Sequence, residues 1–137
     1  MIKRNVYENS IGCLCWSFAL ATHAVTNVWD GGATDNNWSS SENWNPDGTP
    51  VSASDTYLQF IGLARVNPYQ NIATPFVLNR LDFLGGSTNT SVITIGGSQL
   101  QFVTNGVTSP RIYLNRNVTC VITNAIDIPA GTTLIAD

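Results

Sequence analysis

Beyond residue 24 the chain contains no lysine and no histidine, and its only cysteine there is Cys120. Each absence removes a class of chemistry. Without histidine there is no Ser-His-Asp or Cys-His relay and no imidazole metal site. Without lysine there is no amine nucleophile or Schiff-base former. A lone cysteine cannot make an intrachain disulfide, the usual support of small exported domains. Positive charge is scarce as well: Arg65, Arg80, Arg111 and Arg116 stand against eight carboxylates. Nucleic acid and anionic membrane surfaces attract clustered Lys and Arg, so neither is expected as a partner.

What is present begins with an export signal. Lys3 and Arg4 give a positive start, and Ile11 to Ala21 is an apolar stretch too short to cross a bilayer and stay. Small residues at Ala19/Ala21 and Thr22/Ala24 fit a cleavage site after Ala21 or after Ala24, with Ala24 favoured. Residues 1–24 are therefore read as a signal peptide, and Cys13 and Cys15 fall within it.

Residues 25–75 form a second region, rich in Trp, Asn, Asp, Ser and Pro. It holds Trp29-Asp30-Gly31-Gly32, Trp38, Trp44 and the turn Asn45-Pro46-Asp47-Gly48-Thr49-Pro50. Strand signals occur there only around 24–29 and 56–61.

Residues 76–137 read as short strands. Leu81 and Phe83, Ile93 and Ile95, Leu100 and Phe102, Ile112 and Leu114 are spaced by two, as are Val118, Cys120 and Ile122, then Ile126 and Ile128. A period of two puts alternate side chains on one face of a strand. These residues, with Leu134, are the expected core, and Cys120 is read as a small core residue rather than a reactive thiol. Turn signals separate the pairs at Gly85-Gly86, Gly96-Gly97, Asn105-Gly106, Asn115–Asn117, Asn124 and Pro129-Ala130-Gly131.

Two all-β architectures fit. Asn105-Gly106 is a hairpin signal and favours an antiparallel β-sandwich locally. Short strands, no long hairpins and loosely similar units favour a right-handed parallel β-helix, which is the expected fold. The units are 76–95, 96–118 and 119–135. Thr suits the outward positions of such coils. Asn suits their turns and can form hydrogen-bonded ladders. The final stretch, Ile126 to Ile135, has the pattern of an interior coil, so either the repeat is expected to continue beyond Asp137 or its last edge is expected to be paired or covered.

The chemistry left open is limited. Asp30, Asp35, Glu42, Asp47 and Asp55 could supply a carboxylate pair for glycoside hydrolysis. All five lie in turn-rich sequence beside Gly, Asn or Ser, where Asp commonly caps a turn, and that is the reading adopted. The oxygens between residues 30 and 47 fit no twelve-residue calcium loop and no Gly-Gly-x-Gly-x-Asp repeat. No catalytic, metal or cofactor residue is assigned, and the chain is expected not to be an enzyme. Trp29, Trp38 and Trp44 could form a sugar-stacking platform, or could cover the open end of the first coil. The cap is favoured, since an uncovered end exposes apolar side chains and strand edges. Asn37-Trp38-Ser39, Asn89-Thr90-Ser91 and Asn117-Val118-Thr119 match the glycosylation sequon, as chance allows in a chain so rich in Asn, Ser and Thr. Tyr57, Tyr69 and Tyr113 fall into no pattern.

Two sets of residues carry a family resemblance. One is Trp29-Asp30-Gly31-Gly32, Asp35-Asn36-Asn37-Trp38-Ser39, Glu42-Asn43-Trp44, Pro50 and Asp55. The other is the repeat Leu81-Asp82-Phe83, Ile93-Thr94-Ile95-Gly96-Gly97, Leu100-Gln101-Phe102, Asn124-Ala125-Ile126 and Pro129-Ala130-Gly131-Thr132. Together the chain resembles the autotransporter-associated β-strand repeat proteins, exported passengers of Gram-negative bacteria. The resemblance implies a right-handed β-helix at the cell surface or released from it. It also implies outer-membrane attachment through a C-terminal barrel or sorting segment outside these residues. The expected role is structural or adhesive, with surface glycans or ligands on host or neighbouring cells as partners. A carbohydrate-binding module, or the front of a polysaccharide-degrading β-helix, is the alternative.

Overall fold

The computed structural model describes residues 25–62, 64–85 and 92–137. The expected signal peptide lies outside these residues, as do the Asn89 sequon and Gly86. Among these residues twelve strands run in chain order: β1 (Thr26–Trp29), β2 (Trp44–Asn45), β3 (Tyr57–Phe60), β4 (Tyr69–Gln70), β5 (Phe76–Leu78), β6 (Arg80–Phe83), β7 (Val92–Gly97), β8 (Leu100–Phe102), β9 (Arg111–Leu114), β10 (Thr119–Ile122), β11 (Ile126–Asp127) and β12 (Ile135–Ala136). A 3-10 turn, Ser41–Asn43, interrupts them ahead of Trp44. No helix occurs downstream of Phe76 among the described residues.

These strands stack as a parallel β-solenoid of about four turns. The first sheet has the order β12-β9-β6-β3-β1-β2, the second β10-β7-β4 and the third β11-β8-β5. Every pairing is parallel except β1 with β2. The sandwich is thereby excluded. Asn105 does bridge Thr108 antiparallel, each amide donating to the other's carbonyl at 3.0 and 2.9 Å. That hairpin signal ends there, as a tight turn inside one coil.

Register explains the core. In the first sheet Trp29 lies beside Phe60, Phe60 beside Phe83 and Phe83 beside Leu114; Leu58, Leu81 and Ile112 form the parallel inner row. Ile93 and Ile95 stack on Cys120 and Ile122 in the second sheet, and Phe76 stacks on Leu100 and Ile126 in the third. Leu58, Phe60, Phe76, Leu78, Leu81, Phe83, Ile95, Leu100 and Phe102 are wholly excluded from solvent. Each coil needs its neighbours because two or three apolar residues per rung form a continuous interior only when stacked.

The coil stack begins within the Trp-rich stretch, since β1 and β3 are rungs of the same sheet as β6. Trp29, Trp38 and Trp44 close that end. Their exposures are 1%, 0% and 0%. Trp44 meets Trp29 and Trp38 edge to face at 5.1 and 5.7 Å, and Phe60 sits within 6.0 Å of all three rings. Trp29 Nε1 donates to Arg65 O at 3.1 Å and Trp44 Nε1 to Trp38 O at 2.9 Å.

At the opposite end the core thins. Ile112, Cys120, Ile122 and Leu134 are only partly buried. Leu114 and Ile126 occupy inward ladder positions yet are exposed, and Ile128, past the end of β11, is exposed too. The expectation that all three lie in the interior is corrected. Ile126 sits on the last described rung of the third sheet, and β12, the rung beyond β9, pairs with Arg111 and Ile112 without reaching over the Leu114 side chain.

Asparagine works differently from the expected ladder of stacked amides. Asn79 Nδ2 donates to Val103 O and Thr108 O at 2.8 and 3.2 Å, Asn124 Nδ2 to Ser98 O at 2.7 Å, and Asn115 Nδ2 to Leu84 O at 2.9 Å. Each side chain thus satisfies backbone carbonyls of an adjoining coil at a corner, where regular strand pairing lapses.

Candidate functional site

The expected acidic residues separate into three groups. Asp30 caps a turn, its Oδ1 accepting the Gly32 amide at 3.1 Å. Asp35 organises the loop ahead of Trp38. Its oxygens accept the Asn37 amide at 3.0 Å, Asn37 Nδ2 at 2.9 Å and the Ser40 hydroxyl at 2.9 Å. Buried Asn43 ties the same loop together, donating to Asp35 O and Asn37 O and accepting from the Ala33 amide. The Asn37 backbone amide first, and the Ser40 hydroxyl next, hold the Asp35 carboxyl below its ordinary range. Both residues act as turn caps. Glu42 is exposed on the 3-10 turn.

Asp47 and Asp55 are brought to one open groove of about 550 Å³, lined also by Val25, Pro46, Val51 and Ala53. The groove runs beside the start of β1. An acid catalyst for glycoside hydrolysis is a carboxyl withdrawn from water, and Asp47 is exposed. The indoles offer no sugar platform, because all three rings are buried. Among the described residues no group of three or more His, Cys, Asp or Glu side chains could hold a metal ion.

A cluster that the sequence reading passed over lies on the outer face of the first sheet. It arises from three strands of similar design: Tyr57-Leu58-Gln59-Phe60, Arg80-Leu81-Asp82-Phe83 and Arg111-Ile112-Tyr113-Leu114. Positions two and four face the core. Positions one and three face outward, so register stacks Tyr57, Arg80 and Arg111 in one row and Gln59, Asp82 and Tyr113 in the next.

Asp82 is the hub. Arg80 donates Nε to Asp82 Oδ1 at 2.9 Å and an Nη to Oδ2 at 2.8 Å. Tyr57 donates its hydroxyl to Oδ2 at 2.6 Å, and Gln59 Nε2 donates to the Tyr57 hydroxyl. Arg80 also lies 4.5 Å over the Tyr57 ring. The Asp82 side chain is 2% exposed, against 38% for Arg80. A carboxylate this buried on an outward face is stable only with its charge paired and its oxygens bonded. Burial first, then the bond to Asp82, pushes the Tyr57 phenol above its ordinary pKa. One rung on, Arg111 repeats the arrangement, 5.0 Å over Tyr113 and doubly bonded to Asp137 at 2.7 and 2.8 Å.

The other two sheets differ. Outward positions of β4, β7 and β10 carry Tyr69, Val92, Thr94, Thr119 and Val121; those of β5, β8 and β11 carry Val77, Gln101 and Asp127. Among the described residues, arginine stacked on tyrosine occurs on the first sheet only.

Cys120 is half-buried against the core, and burial raises its thiol pKa. That is a packing residue, not an activated thiol. Comparison with protein-family models, with curated proteins and with solved structures finds no match.

Proposed function

We propose that this chain is a non-catalytic structural or adhesive segment of an exported cell-surface β-solenoid, of the autotransporter-passenger kind. The observation that carries the proposal is the solenoid itself, closed at one end by three buried indoles and growing by parallel addition of coils. Such a stack presents a long, stiff surface away from its point of attachment. The outward residues of its second and third sheets are mostly neutral, which suits that task. The positive start and short apolar stretch at 1–24 supply a route out of the cytoplasm.

Joining residues 1–24 to a reporter enzyme that is active only outside the cytoplasm of a Gram-negative host tests the export half. Activity that disappears when Lys3, Arg4 and the apolar stretch are removed is the expected outcome. A reporter retained in the cytoplasm would remove the exported-solenoid reading. The structural role is tested by electron microscopy of the full chain carrying added coils, which should yield rods lengthening with coil number.

A further inference from the structure

We propose that the outer face of the first sheet binds a neutral polysaccharide strand through Arg80, Arg111, Tyr113 and Gln59. This goes beyond the proposed export and scaffold role and does not depend on it. Four observations converge. First, Arg80 and Arg111 are register partners on the outward row, so their backbones lie one strand spacing apart, ~4.8 Å. Second, each is locked by a doubly bonded carboxylate and an aromatic ring. Binding then costs little side-chain entropy. Third, Arg80 and Arg111 remain 38% and 35% exposed, and each commits only Nε and one Nη to its carboxylate. Their other N–H donors have no protein partner among the described residues. Fourth, two arginines balance Asp82 and Asp137, so the face lacks the surplus positive charge that a polyanion requires.

The ligand class follows from that inventory. A neutral sugar chain offers many hydroxyl acceptors and apolar C–H faces, which match fixed guanidinium donors and tyrosine rings. A protein partner would call for a buried apolar anchor at the centre of the patch. The centre here is Asp82, flanked by Tyr57, Gln59 and Arg80.

The test titrates the full chain, by calorimetry and by NMR shift mapping, with fragments of a linear glucan, a mannan and a xylan, and with polygalacturonate as the charged control. Arg111→Gln and Tyr113→Ala change outward side chains only; Val121→Thr changes the second sheet. Circular dichroism and the urea midpoint establish that each variant is folded. At least one neutral fragment is expected to saturate, to shift Arg111 and Tyr113 signals, and to bind about tenfold or more weakly to the first two variants, with Val121→Thr unchanged. The proposal is overturned if no neutral fragment binds. It is equally overturned if binding ignores both variants, or if only polygalacturonate binds and salt abolishes it.

Discussion

Phe60→Ala tests the packing argument where it is most concentrated. The Phe60 ring lies 6.0 Å from Trp29, 5.8 Å from Trp38, 5.9 Å from Trp44 and 5.7 Å from Phe83, with no exposure to solvent. Truncating a buried Phe costs about 3–5 kcal/mol, from lost transfer energy and the cavity left behind. Each aromatic pair adds roughly 0.5–1.5 kcal/mol beyond its buried area. The upper part of the range therefore applies here. A domain of this size is stable by roughly 5–15 kcal/mol, so a third or more of that margin should vanish. The midpoint of thermal unfolding should fall by roughly 10–25 °C. Urea unfolding followed by tryptophan fluorescence is the assay, with the slope unchanged and the midpoint lowered. Val121→Ala, on an exposed outward position, should shift stability by less than ~0.5 kcal/mol. A loss below ~1 kcal/mol for Phe60→Ala would show that the indoles and the coil core do not share one packed interior.

Other outcomes follow from the same geometry. Gly97 has φ +103°, and a Cβ there would meet Gln70 N at 2.7 Å and Gln70 C at 2.9 Å; Gly97→Ala should cost about 2 kcal/mol or more, read as a lowered urea midpoint. Tyr57 has a raised pKa in the folded state, so the folded protein holds this proton more tightly than the unfolded chain does. Its contribution is complete below about pH 10 and is lost as pH climbs through the higher folded value; Tyr57→Phe should make urea stability fall less steeply there. Asp35 has a lowered pKa, so its contribution is present above the ordinary carboxylate value and lost as pH falls through the lower folded one. Asp35→Asn should flatten the acid limb of the stability profile, and an unchanged limb would count against the role assigned to that loop.

The inward rows were legible in the sequence because they depend on nearest neighbours. Leu81 with Phe83, Ile93 with Ile95 and Leu100 with Phe102 carry the period of two within each strand, and all six are buried. Two-residue strands such as Trp44–Asn45 and Tyr69–Gln70 are too short to show a period, and β2 pairs antiparallel through the local return of the chain. The exposure of Ile126 depends on its place on the last described rung of the third sheet, and that of Leu114 on β12 pairing only with Arg111 and Ile112, neither of which periodicity within a strand encodes.

The outer cluster was missed for a related reason. Tyr57, Arg80 and Arg111 lie far apart in sequence and become neighbours only through the coil register. A signal was nonetheless present. Three tetrads place Leu or Ile second and Phe or Leu fourth, with Tyr, Arg, Gln or Asp at the outward positions, and aligning them on Leu58, Leu81 and Ile112 would have stacked the cluster. The turn role of Asp30 and Asp35 was readable because an aspartate cap acts within a few residues.

The central claim is parallel stacking of successive coils around one interior. Nuclear Overhauser contacts between methyl groups test it most directly. The account requires contacts linking Leu58 to Leu81 and Leu81 to Ile112, together with contacts from Phe60 to the Trp29, Trp38 and Trp44 rings. Absence of the Leu58–Leu81–Ile112 series, with cross-strand contacts between chain-adjacent strands running antiparallel, would contradict it.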